Sequence, residues 1–225
     1  MSRFVLSIIV ALSIIVVLLP APASSQDRGA TERLGKVSFP VSCSAAAQQQ
    51  FDRAVALLHS FWRQAALQAF AGVAQTDPSC AMAHWGTAMT LLINPFLMPQ
   101  PKTLSDGWAA VERATRIGAK TPREADYIAA IGAFYKDAER IDHGTRALAY
   151  EKAMERLATT YSGDREATIF YALALNITAA PTDKTYANQL KAAALLETVF
   201  AGQPDHPGVA HYLIHSYDFP PIAAM

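Results

Sequence analysis

The sequence predicts an all-α chain, a right-handed solenoid of antiparallel helix-turn-helix pairs. Three observations lead there: helical apolar spacing in every segment beyond residue 44, capped helix starts, and a small-then-bulky motif recurring at intervals of about forty residues. No stretch shows sustained two-residue alternation between turn signals, so no strands are expected.

The first residues belong to a different category. Met1-Ser2-Arg3 is a short positive start, and Phe4 to Leu19 runs without a charge. Pro20 to Ser25 are small residues, and Ala21-Pro22-Ala23 places cleavage before Ser24. The 16-residue apolar run falls short of the roughly 20 needed to span a bilayer. Residues 1–23 are therefore read as a signal peptide rather than a retained anchor, which implies a periplasmic or secreted protein without stable membrane insertion after cleavage. Residues 24–43 form a polar leader, expected to be disordered over Gln26 to Lys36. Residues 44–225 make up the helical repeat domain.

Helices are expected near 45–59, 62–76, 79–92, 104–119, 122–137, 145–161, 165–179, 186–201 and 207–217. Phe51, Ala54, Val55 and Leu58 place one apolar face on the first, and Trp62, Ala66, Ala69, Phe70 and Val73 do so on the second. Thr121-Pro122-Arg123-Glu124 has the form of a capping box with proline at the first helical position. Asp77-Pro78 looks like a similar device, and Asp164 can cap the helix starting at Arg165, with Glu166 in its first turn. The chain stops soon after an apolar final helix. A lone first helix of a pair cannot bury its face, so a longer protein, or a second copy covering that face, is expected.

Ala66, Phe70 and Pro78 define the recurring spacing: a small residue, a bulky one four positions later, and a proline opening the next helix. Ala110, Ala114 and Pro122 repeat it, as do Ala192, Leu196 and Pro204, while Ala153, Leu157 and Arg165 lack only the proline. On these residues the chain resembles exported bacterial tetratricopeptide-repeat proteins, as the N-terminal part of a longer member. Positions 78, 122, 165 and 204 are 44, 43 and 39 apart, against about 34 in that family. His84-Trp85-Gly86 and Ala88 match its first-helix signature only loosely. The resemblance implies a concave groove lined by the first helix of each pair, and a protein or peptide partner held there.

Lys plus Arg and Asp plus Glu both number 19, so no excess positive charge is available for nucleic acid. Cys43 and Cys80 stand 37 residues apart, close to one repeat, at the starts of two first helices. In an oxidising compartment a disulfide is the main reading, with two free or buried thiols as the alternative.

No complete catalytic set is present: phosphate loops, nucleophile elbows and metal-binding cysteine pairs are missing. The six histidines are the candidates for a site. On the last helix His211, His215 and Asp218 fall within about 60° of one another at 100° per residue. His-x3-His with an aspartate one turn on can hold a divalent metal, or the three can be hydrogen-bonded structural groups or a ligand-binding stripe. His206 lies about 140° from His211 around the helix and is read as a cap or first-turn residue. His59 and His84 are expected to be partly buried hydrogen-bonders, and His143 to be solvated. Asn176-Ile177-Thr178 matches a glycosylation acceptor but sits in a helical pattern. Three functions remain open at this point: a scaffold for a protein or peptide partner, a metal-binding protein or metal-dependent enzyme, and a structural segment of an envelope assembly.

Overall fold

A computed structural model describes residues 33–92 and 97–224. The expected signal segment, the first part of the leader, and Asn94-Pro95-Phe96 lie outside the described residues. Within them the chain is all-helical and has no strand. The helices are α1 (Ala45–His59), α2 (Arg63–Thr76), α3 (Ala81–Leu91), α4 (Pro101–Ile117), α5 (Pro122–Tyr135), α6 (His143–Thr160), α7 (Arg165–Thr178), α8 (Ala187–Phe200) and α9 (Pro207–Tyr217).

Each helix packs on its successor in sequence, which is how helical hairpins stack. The odd-numbered helices also touch one another: α1 with α3, α3 with α5, α7 with α9, and α1 with α9. They form an inner layer, and their burial says so. α7 buries Glu166, Ala167 and every residue from Ile169 to Asn176, whereas α2 buries only Ala66, Phe70 and Val73. An even-numbered helix covers the layer with one stripe; an odd-numbered one is covered on more than one side.

The small-then-bulky motif packs as expected in two of its four copies, where Ala66 and Phe70, and Ala192 and Leu196, are buried. Leu157 is buried beside a half-buried Ala153, and Ala110 and Ala114 are both buried, with an alanine where a bulky residue is expected. The Phe70 ring lies where a Cβ on Gly86 would stand, 2.1 Å away, so α2 and α3 approach closely only because residue 86 is glycine. Tyr135 presses on Gly107 in the same way at 2.2 Å, bringing α5 against α4.

Helix starts follow their sequence signals with two exceptions. Thr121 accepts from the Glu124 amide, Asp142 from Thr145 and Asp164 from Ala167, each an N-cap that satisfies an orphan donor. Glu124, however, turns to the amides of Lys120 and Ser42. Asp77 ends α2 rather than capping α3, whose N-cap residue is Cys80. Its carboxylate takes the amides of Ser79 and Ser44 instead, tying the start of α1 to the α2–α3 turn. Beside it, Cys43 and Cys80 form the disulfide expected from their spacing, with Cα atoms 5.0 Å apart. No helix among the described residues is long and apolar enough to cross a membrane.

Candidate functional site

The inner layer carries two polar constellations, one towards each end of α1. At the first, residues 36–42 cross the starts of the inner helices as an extended strap. Phe39 is fully buried, 5.5 Å from Phe51 of α1, 5.3 Å from Trp85 of α3 and 4.9 Å from Tyr127 of α5 between ring centroids. The Arg123 guanidinium lies 4.8 Å over the same ring, so one side chain is boxed by three aromatics and a cation.

Helix side chains, rather than a neighbouring strand, hold the strap's main chain. Phe39 N–H donates to Asp52 at 3.0 Å, and Gln48 accepts from Val41 N–H at 2.8 Å while donating to the Phe39 carbonyl at 2.9 Å. Arg123 donates to the Pro40 carbonyl at 2.8 Å, Glu124 accepts from Ser42 N–H, and Lys36 N–H donates to the Asp205 carbonyl at 3.0 Å. Arg123 is itself fixed by Asp164, 2.6 Å from its Nε. Burial works against its charge, but the Asp164 carboxylate outweighs that and raises its pKa. Burial also raises the Asp52 pKa, against the lowering effect of the Phe39 amide and Gln48. These contacts fix the backbone of residues 39–42 and one aromatic side chain.

The second constellation gathers four of the six histidines. Glu166, in the first turn of α7, is buried between His59 at the end of α1 and His206 at the start of α9. His59 Nε2 lies 2.9 Å from one carboxylate oxygen and His206 Nε2 lies 2.7 Å from the other. Among the described residues this is the one group of three potential metal ligands whose donor atoms all lie within 4.8 Å of one another. Its hydrogen bonds assign its protons. His206 Nδ1 accepts from Gly208 N–H at 3.2 Å, so the ring proton sits on Nε2 and is donated to Glu166. His59 Nδ1 faces the Tyr212 hydroxyl at 2.9 Å, and its Nε2–H also meets a carboxylate that can only accept. Both nitrogens that face Glu166 are thus donors, and neither offers it a lone pair. Burial raises the Glu166 pKa, but the two imidazoles overcome it and hold the group at about 2. Burial lowers the His59 pKa, keeping the ring neutral. The room is fitted to this pairing: a Cβ on Gly208 would stand 2.5 Å from His59 Nδ1.

His211 and His215 lie beside this triad on the half-buried side of α9. The His59 main-chain carbonyl accepts from His211 Nδ1–H at 2.6 Å, leaving a lone pair on His211 Nε2. That nitrogen is 3.1 Å from His215 Nε2. Phe61 backs both rings, 4.4 Å and 5.9 Å away between centroids. Burial and the neighbouring His211 lower the His215 pKa, with Asp218 opposing. The two histidines expected to share a metal are therefore brought together. Asp218 caps the exposed C-terminal end of α9 and is not within 4.8 Å of both.

The other expectations resolve individually. His206 does cap α9, but it also bonds Glu166. His59 is fully buried, while His84 is half-buried in α3 and His143 half-buried at the start of α6. Asn176 is buried and donates to Ser216 at 2.9 Å, which leaves it inaccessible for glycosylation. Sequence reasoning missed the triad, although a signal existed: Glu166 shares a helical stripe with Phe170 and Leu173, so its carboxylate points into the core. Compared with known proteins, the chain matches no family model, no curated protein and no solved structure.

Proposed function

We propose that the chain is an exported scaffold of the tetratricopeptide type that binds an extended peptide or protein segment along the starts of its inner helices. The observation carrying this reading is the strap: Asp52, Gln48, Arg123 and Glu124 hold the main chain of residues 39–42 while an aromatic box takes Phe39. Helix pairs stacked in sequence order, with recurrent buried alanines, support the repeat assignment, and the winding we propose for it is right-handed. The Cys43–Cys80 disulfide supports an oxidising destination, periplasmic or extracellular.

On this reading the leader is a stand-in for the partner. A tethered segment faces its groove at an effective concentration of about millimolar, so a free peptide of the same pattern competes poorly with it. The partner carries an aromatic residue followed by proline in extended conformation, because that is what the groove accommodates. The test is fluorescence anisotropy with a labelled peptide copying residues 33–43, serine replacing the cysteine. Phe39→Ala, which weakens the tethered competitor, should bind the peptide at least tenfold more tightly than the unaltered chain. A peptide with alanine at the phenylalanine position should not bind. Equal, undetectable binding by both chains would overturn the proposal.

A further inference from the structure

We infer that His211 and His215 form a two-imidazole site for a divalent transition-metal ion such as zinc, separate from the peptide groove. Two nitrogens bound to one ion at about 2.1 Å in tetrahedral geometry stand about 3.4 Å apart. His211 Nε2 and His215 Nε2 are already 3.1 Å apart, one helical turn from each other. The His211 ring is oriented as ligand histidines are, with its other nitrogen donating to a main-chain carbonyl, here that of His59 at 2.6 Å. That bond fixes the tautomer that leaves the Nε2 lone pair facing His215. With His215 protonated on Nδ1, both lone pairs converge on one point, and a cation replaces the single proton now lying between the nitrogens.

The buried triad is the competing location, and its hydrogen bonds argue against it. His206 Nε2 carries a proton because Nδ1 accepts from Gly208 N–H. An ion there would have to break that bond, strip His59 of its Glu166 contact and enter a space with no exposed ring. The α9 pair is half-exposed, so water or a partner's side chain can fill the remaining coordination positions. Imidazole nitrogens select zinc, copper or nickel over magnesium or calcium. Asp218 tunes the site through its charge and is not a ligand.

The test is calorimetric titration of the metal-free full chain with zinc chloride, run in parallel on variants whose helix content is checked by circular dichroism. The expected result is one ion per chain, weakened at least tenfold by His211→Asn and by His215→Gln. Asp218→Asn should change affinity less than threefold, and His84→Ala not at all. A cobalt(II) adduct should show a visible spectrum that disappears in His215→Gln. No binding by the unaltered chain would overturn the inference. So would zinc retained by both histidine variants, or zinc lost in Glu166→Gln while both histidine variants keep it.

Discussion

The two ends of α1 use polar side chains in opposite ways. Near its start, Gln48 and Asp52 bond the main chain of a segment that precedes the helix. At its end, His59 bonds Glu166 and Tyr212, side chains that come from other inner helices. The first set bonds a generic feature, a backbone, and under our proposal an equivalent segment replaces its occupant. The second is closed: Glu166 bonds both imidazoles, and all three side chains are buried. Contacts to main chain and contacts among side chains are thus separated along one helix, and substitutions at the two ends should fail differently.

The largest effect is expected at the closed end. Glu166→Ala leaves two buried imidazole donors unpaired and should cost about 4 kcal/mol, read as a fall in denaturation midpoint. A loss below about 1 kcal/mol would mean the triad is not the staple described. Reducing the Cys43–Cys80 bridge frees a 37-residue separation and should cost about 4 kcal/mol in chemical denaturation. Phe39→Ala should cost about 3 kcal/mol by emptying the aromatic box while leaving helix content unchanged, because the strap carries no helix of its own. Removing the exposed Lys36–Asp205 pair should cost less than about 1 kcal/mol.

Acid should act mainly on the closed end, with a definite sign. His59 has a lowered folded pKa, so the unfolded chain binds its proton more readily and stability falls as pH drops through the ordinary histidine range near 6.5. Glu166 is held at about 2 against an ordinary 4.5, so its contribution is present above 4.5 and is lost between the two values. Both push the same way. Melting temperature should decline from pH 7 to pH 4, and the decline should be shallower in His59→Gln. A melting temperature that rises over this interval would contradict the assignment of a neutral His59 beside an ionised Glu166.

The sequence made one end readable and left the other obscure, for reasons of distance. Helix positions come from local signals, so α1 and α9 run from Ala45 to His59 and from Pro207 to Tyr217, as their apolar periods indicate. α4 starts at Pro101 rather than 104, because Gln100 is extended before the proline and supplies the N-cap position. The disulfide was readable because its partners lie one repeat apart. His59 and Glu166 are 107 residues apart and Glu166 and His206 40 apart, so no window of sequence contains the triad. Glu166 instead resembled an ordinary dipole-compensating residue of a first helical turn. The strap was the hardest to foresee. Phe39 lies between Val37 and Val41 in a stretch too short to carry a helical period, and its burial depends on a box contributed by three helices that follow it.

The central claim is that residues 39–42 are held as a ligand by side chains of the inner helices. Amide hydrogen exchange at Phe39, Val41 and Ser42 tests it most directly, since their N–H groups bond Asp52, Gln48 and Glu124. The account predicts that these three amides are protected at least a hundredfold in the free chain. Saturation with an excess of the peptide copying residues 33–43 should remove that protection, while the amides of α7 stay protected. Exchange of the three amides at unfolded-chain rates in the absence of peptide would contradict it.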